Sequence, residues 1–296
     1  MRLAPNHVSI ADPDALQIVY AHGNGMLKSD FYDAFVSIHR GLFNTRDRVD
    51  HGRKRKIVSH IFSLKNVLEF EPYIRQHIGE LLRQWDRLSE GGKKGLSGED
   101  GDGWFGRDGW VWFDCLPCKS PASFRWGFGP GVNSFWSPSS GYNYLAFDVI
   151  GDLAFGSPFG MLKAAKDAAP VAKSQNDAMA AYGDEDVKVD VQYFPAVRIL
   201  NERGDYSASM GVLPPWIRPL LKKYHPWYRK GSVSTANLAG LAIAAVSKRL
   251  KTPTDRVDLL SKLQEGKDDA GKPMGRPELT AEALTQLIAG SDTTSK

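Results

Sequence analysis

The chain has 296 residues, a formal net charge of +4 at pH 7, 42% hydrophobic and 24% charged residues, and two cysteines. That length suits one large domain or two ordinary ones, and the balance is that of a soluble globular protein rather than a disordered or fibrous one. The charge is too small to argue for nucleic acid, two cysteines make no disulfide framework, and no run approaches the ~18 apolar residues of a membrane span.

The first residues carry no apolar signal-peptide core, and no internal repeat is present. Val8-Ser9-Ile10 alternates like a short strand. Asp12, with Pro13 behind it, suits the start of a helix that buries Ala15, Ile18 and Val19. His22 to Gly25 reads as a turn. Arg46, Arg48, Arg53, Lys54, Arg55 and Lys56 then place six cations within eleven residues. A solvated helix face and a nucleic-acid or nuclear-localisation patch are both open to such a run. His51 and Arg55 are four apart and share one helix face.

Pro72 suits the first turn of the next helix. Ile74, Ile78, Leu81, Leu82, Trp85 and Leu88 recur behind it at helical spacing, and this stripe reads as core. Composition breaks at Gly91. The window to Ser140 holds five of the eight Trp, both cysteines and four Pro. No period of 3.6 or 2 persists through it, and a loop of that length is unusual inside a compact domain. Cys115 and Cys118 form a CxxC with neither a second ligand pair nor a βαβ context, so the spacing reads as incidental. The window is expected to be foreign to the fold.

Regular pattern resumes with Tyr142 to Gly160, where Leu145, Val149, Ile150 and Leu153 form a stripe and Phe155-Gly156-Ser157-Pro158 ends the helix. Lys163 to Asp190 points to no definite element. Ser207 to Gly231 interleaves Trp216, Tyr224, Trp227 and Tyr228 with prolines and cations, as a surface loop between helices would. Asn237 to Leu250 reads as an Ala-rich helix with Leu238, Leu241, Ala242 and Ala245 inward. Asp255 is the expected cap of a short helix carrying Val257, Leu260 and Leu263.

The last stretch, Leu279 to Lys296, starts as an ordinary helix. Thr280 is the expected N-cap, Glu282 suits the first turn, and Leu284, Leu287 and Ile288 follow at helical spacing. Ala289-Gly290-Ser291-Asp292-Thr293-Thr294 then breaks the pattern. A Gly costs a helix about 1 kcal/mol against Ala, so stability is not the reason for this string. Gly allows close approach to the backbone, and a Thr hydroxyl can bond back to the carbonyl four residues earlier.

This string resembles the oxygen-binding motif in the central helix of the cytochrome P-450 haem-thiolate monooxygenases. The segments KSDFYDAFVSIHRGLFNTRDR, FDVIGDLAFGSPFGML and LTAEALTQLIAGSDTTS look most like the fungal benzoate 4-monooxygenase branch of that family. The resemblance covers about four-fifths of the chain, everything outside the window from Gly91 to Ser140. It implies a mainly α fold, multi-helical with a small β region and incomplete. Residues 1–90 would be the N-terminal part of the domain, 91–140 an anomalous insert, and 141–296 the helical core ending in the oxygen-binding helix.

The resemblance also implies roles. Asp292 and Thr293 would serve catalysis by relaying protons. Ala289 and Gly290 would lie against the haem, and His51 and Arg55 would hold its propionates. The remaining cations of the basic run would face outward and help dock an acidic electron donor. Ser37, Arg40 and Asn44 fall in the region that contacts substrate. The implied reaction is hydroxylation of a small aromatic carboxylate, benzoate, at the para position. Electrons would come from NADPH through a separate cytochrome reductase. The aromatic and basic segment before Gly231 would be a lid over the substrate channel in contact with the membrane, at the endoplasmic reticulum in the intact family. The membrane anchor of the family is missing from this stretch. So are its Glu-x-x-Arg helix and its Gly-rich cysteine loop, and Cys115 and Cys118 have the wrong context to replace the thiolate ligand. The chain as written is therefore expected to be inactive and to expose apolar faces. The alternatives are a monooxygenase of another aromatic or lipid substrate, and a non-catalytic helical module that binds anionic partners through the basic run.

Overall fold

The structure, a computed structural model, describes residues 1–5, 7–21, 23–59, 61–93, 138–182, 184, 189–252, 257–268 and 270–295. His22, Asp255, both cysteines and most of the window from Gly91 to Ser140 lie outside these residues.

Strands β1 (Arg2–Ala4) and β2 (His7–Val8) pair antiparallel, with Arg2 opposite Val8. Helix α1 (Ala15–Tyr20) follows, and Asp14 at its boundary makes no side-chain cap bond. Asp12 accepts the Asp14 N–H at 3.1 Å. The face expected of α1 is not buried: Ile18 is exposed. A 3-10 helix (Asp30–Phe35) opens at Ser29, whose hydroxyl accepts from the Phe31 N–H. Helices α2 (Arg48–Ser59), α3 (Leu64–Leu68) and α4 (Glu71–Lys93) complete the first part. In α4 the stripe is rotated from the expected one. Ile78 and Leu82 are exposed, and the buried positions include His77, Leu81 and Gln84. The reason is polar: His77 Nε2 lies 2.9 Å from the carboxylate of Asp152, which pulls that face of α4 inward.

Asp152 belongs to α5 (Pro138–Phe155). This helix packs on α4 and has hardly any polar face, with Tyr144, Ala146, Phe147, Ala154 and Phe155 all buried. A short α6 (Met161–Ala164) follows, its first N–H groups taken by Asp148. Burial raises the Asp148 carboxyl, against the lowering effect of those three backbone donors. Strand β3 (Ala169–Ala172), helix α7 (Gln175–Ala180) and strand β4 (Val191–Phe194) come next. β3 and β4 pair antiparallel, with Ala169 opposite Phe194 and Ala172 opposite Val191.

The rest is helical: α8 (Ala196–Gly211), α9 (Arg218–Tyr224), α10 (Pro226–Lys251), α11 (Leu259–Glu265) and α12 (Arg276–Asp292). Pro226 sits in the first turn of α10 and Lys248, Arg249 and Lys251 in its last, as geometry and the helix dipole favour. Its middle is buried on all sides, from Leu238 to Ser247, against α8, α12, α7 and β3. Small alanines let those neighbours approach while Leu241, Ile243 and Val246 fill the space between them. The cap of α11 is Asp258, in a capping box with Ser261, and not the Asp255 expected from the sequence. Asp258 also takes a charge-assisted bond from Arg249, which ties α11 to the end of α10.

Helix α12 starts earlier than expected. Gly275 is its cap, with Pro277 in the first turn. Thr280 is therefore inside the helix and buried; its hydroxyl donates to the Arg276 carbonyl (2.7 Å) and contacts the Tyr182 hydroxyl (3.0 Å). Leu279, Ala283, Leu284 and Leu287 of α12 enter the core beside α5 and α10.

Candidate active site

The loop from Val36 to Asp47 lies across α12. Gly41 makes this possible, because a Cβ there would come 2.7 Å from the Thr285 hydroxyl and 3.3 Å from the Ala281 carbonyl. The loop is held by its own polar groups. The Asn44 side chain accepts from the Gly41 N–H (2.8 Å) and donates to the Phe35 carbonyl (3.1 Å). The Leu42 N–H donates to the Glu282 carboxylate at 2.6 Å.

Between this loop, α8 and α12 is a cavity of about 340 Å³, inside the range of about 300–1,000 Å³ usual for small-molecule sites. Ser37, Asn44, Ala289 and Thr293 all line it, so four of the expected site residues meet on one wall system. The Thr293 hydroxyl donates back to the Ala289 carbonyl at 2.6 Å, the bond expected from its spacing. A larger cavity of about 590 Å³ lies between the end of α5, β3–β4 and the end of α10. It touches none of the expected site residues.

Other expected residues sit elsewhere. Arg40 points to Asp33 (2.8 Å) and to the Asn44 carbonyl (3.1 Å). Burial would raise the Asp33 carboxyl, but Arg40 and Arg46 together outweigh it and hold it below its usual value. Gly290 faces α5: a Cβ there would stand 2.7 Å from two carbons of Ile150. The close approach at this glycine is thus made by a neighbouring helix, and α12 runs unbroken through it. The Asp292 side chain lies outside the described residues.

His51 and Arg55 share α2, away from the cavity. Burial first, then the charges of Lys28 and Arg55, lower the His51 pKa against the opposing pull of Asp50. His51 with the charges of Lys28 and Arg55 beside it makes a basic corner that suits an anion, and the propionates of a haem fit it chemically.

The rest of the basic run is divided: Arg48 and Lys56 are exposed as expected, but three of its cations turn to acids of the fold. Arg46 pairs with Asp33, Arg53 with Asp50 and Glu278, and Lys54 with Glu278 at 3.1 Å. Lys54 is wholly buried and donates to the Arg40 carbonyl. The physical reason is the acid opposite: Glu278 and Glu282, one turn apart on α12, draw these cations inward. Burial raises Glu282 to about 7, only partly relieved by the Leu42 N–H and Lys54.

One residue was missed in the sequence. Arg203, on α8, lines the cavity and is only 7% exposed. One terminal nitrogen donates to the Phe35 carbonyl at 3.1 Å, and the guanidinium stands over the Phe35 ring, 5.2 Å from its centroid. Its Nε is buried without a partner. Burial lowers its pKa to about 10. The sequence did hold a clue: Ile199, Arg203, Tyr206 and Met210 recur at helical spacing, which sets a cation in an apolar stripe.

Comparison with known proteins decides the family. The cytochrome P-450 family profile matches residues 133–296. The chain belongs to the cytochrome P-450 family. The chain is similar to benzoate 4-monooxygenase bphA of Aspergillus niger, with 46% identity over 304 aligned residues, 100% of this chain and 49% of that protein. It is 27% identical to the trichothecene C-15 hydroxylase of Fusarium sporotrichioides, over 100% of this chain and 47% of the relative. A cytochrome P-450 monooxygenase, atr2 of Stereocaulon alpinum, shares 28% identity over 100% and 46%. The chain spans about half the length of the curated relatives it matches. These relatives are named for monooxygenase or hydroxylase activity, within the cytochrome P-450 family. The mainly α fold agrees with it. Among the described residues no helix is long and apolar enough to cross a membrane, and no group of His, Cys, Asp or Glu is arranged to hold a metal ion.

Proposed function

We propose that the whole protein hydroxylates benzoate, or a close aromatic carboxylate, at the para position, using electrons passed from NADPH by a reductase. The observation that carries this reading is the cavity where Thr293 and Ala289 of the motif share walls with Ser37 and apolar side chains such as Phe35, Leu284 and Ile288. The 46% identity to a protein named for this reaction supports the substrate class. Haem supplies the oxygen-activating chemistry when bound. Arg55, with His51 and Lys28 beside it, would hold its propionates. The rings and aliphatic groups of the cavity exclude water and orient a flat substrate. The Thr293 hydroxyl lies at the cavity wall with its proton given to the Ala289 carbonyl, and turned out of that bond it would deliver the proton into the cavity. Asp292 would replenish it.

The test is product analysis with benzoate, NADPH and a reductase. Formation of 4-hydroxybenzoate is expected. Hydroxylation at another ring position, or none, would refute the reading. Thr293→Ala is expected to lower product formed per NADPH consumed by at least roughly tenfold, as for loss of a proton-delivering group.

The same reading covers location. Trp216, Tyr224 and Trp227 are 71%, 69% and 47% exposed around α9, beside Lys222 and Lys223. Such a surface suits a lipid headgroup layer, as expected of an enzyme at the endoplasmic reticulum membrane. The alternative of a module acting through the basic run loses support, because Arg46, Arg53 and Lys54 are engaged internally.

A further inference from the structure

We propose that Arg203 is the anchor that receives the carboxylate of an aromatic acid in the cavity between the Val36–Asp47 loop, α8 and α12. This rests on the substrate reading above and identifies the group that selects an acid over a neutral ring.

The argument starts from charge. A buried cation needs an anion or a full set of acceptors. Arg203 has neither: one carbonyl takes one terminal nitrogen, an aromatic face covers the guanidinium, and Nε has nothing. Two acids on the elements that hold Arg203 and Phe35 are committed to others. Glu202, the preceding residue, is shared by Arg198, Lys230 and the Ser234 hydroxyl. Asp33, on the 3-10 helix that also contributes Phe35, is held by Arg40 and Arg46. Among the described residues no carboxylate forms an ion pair with Arg203. Its partner must therefore enter through the cavity it lines.

The cavity defines that partner. Phe35, Phe43, Leu200, Leu284 and Ile288 give it apolar walls, which suit a ring. A guanidinium is a planar fork that can bind both oxygens of a carboxylate, and the free Nε belongs to one edge of that fork. The stacked Phe35 ring fixes the plane of the fork and excludes water from one face. Arg40 was the arginine expected to contact substrate, but its own acid already occupies it.

The test is calorimetric binding of benzoate, benzamide and toluene to the haem-loaded protein at pH 7. The unaltered protein is expected to bind benzoate at least roughly tenfold more tightly than benzamide, the neutral isostere. Arg203→Gln should weaken benzoate by on the order of 10- to 100-fold and change toluene by less than about threefold; Arg203→Lys should recover part of the loss. Three results would overturn the proposal. One is equal binding of benzoate and benzamide by the unaltered protein, a comparison that needs no variant to fold. Another is an acid preference that survives Arg203→Gln. The third is an equal loss of all three ligands. In the first two cases the aromatic-substrate reading still stands. If none of the three ligands binds the unaltered protein, that reading falls and this one with it.

Discussion

At the N-terminal half of α12, Glu278 and Glu282 meet Asp50, Arg53 and Lys54 of α2, and each cation has an acid within reach. At its C-terminal half the helix borders a cavity whose cation, Arg203, has among the described residues a carbonyl and a ring but no acid. Both regions bury charge. One closes on itself and fastens the loop to the core; the other leaves its charge open. Buried charges that satisfy each other belong to architecture, whereas one left unsatisfied in a cavity marks a place for a ligand.

That contrast can be broken by mutation. Lys54→Met should destabilise the protein by about 3–5 kcal/mol, since it strands Glu278 beside one remaining cation. Arg203→Leu, measured without ligand, should cost no more than about 1 kcal/mol, the worth of its bond to Phe35. Urea unfolding of both variants checks this, and equal losses would erase the difference between the two regions.

A smaller effect sharpens the closed side. Glu282 has its folded pKa raised from 4.5 to about 7, with burial the main cause. The stability linked to its proton is full below pH 4.5 and is lost as pH rises through 7. A shift of this size corresponds to about 3 kcal/mol. Glu282→Gln keeps an acceptor for the Leu42 N–H and should remove that component, so its unfolding free energy would fall less than the unaltered protein's between pH 4.5 and 8.

The smallest effect concerns the junction of the two halves with α5. Gly290→Ala should destabilise by about 1–2 kcal/mol, as overpacking against Ile150 exceeds the gain in helix propensity. Ile150→Val in the same chain should recover part of that loss in a thermal melt. Strict additivity would mean that the two residues do not touch.

Much of this was legible beforehand. The inward face of α10 and the apolar start of α12 follow from 3.6-residue periodicity, whereas in α5 the expected Leu145, Val149, Ile150 and Leu153 are only half-buried and Tyr144, Phe147, Ala154 and Phe155 carry the core. Caps were less legible. Thr280 and Asp255 are good capping types, but Gly275 and Asp258 took the positions, because the chain's entry into each helix is set by tertiary contacts such as the bond from Arg249 to Asp258. The inward turn of Arg53 and Lys54 was not legible. Cations cluster outward unless acids oppose them, and those acids lie more than two hundred residues away on α12. Arg203 was hidden for the same reason: its stripe is visible, but only the fold brings Phe35 over it and leaves Nε bare.

The contacts between α4 and α5 carry one more lesson. Trp85 stands edge-on to Tyr142 at 5.7 Å and His77 bonds Asp152, pairs whose numbers run in opposite directions. The two helices therefore run antiparallel and are held together at two points along their length. Their register is thus fixed by contacts between the helices themselves.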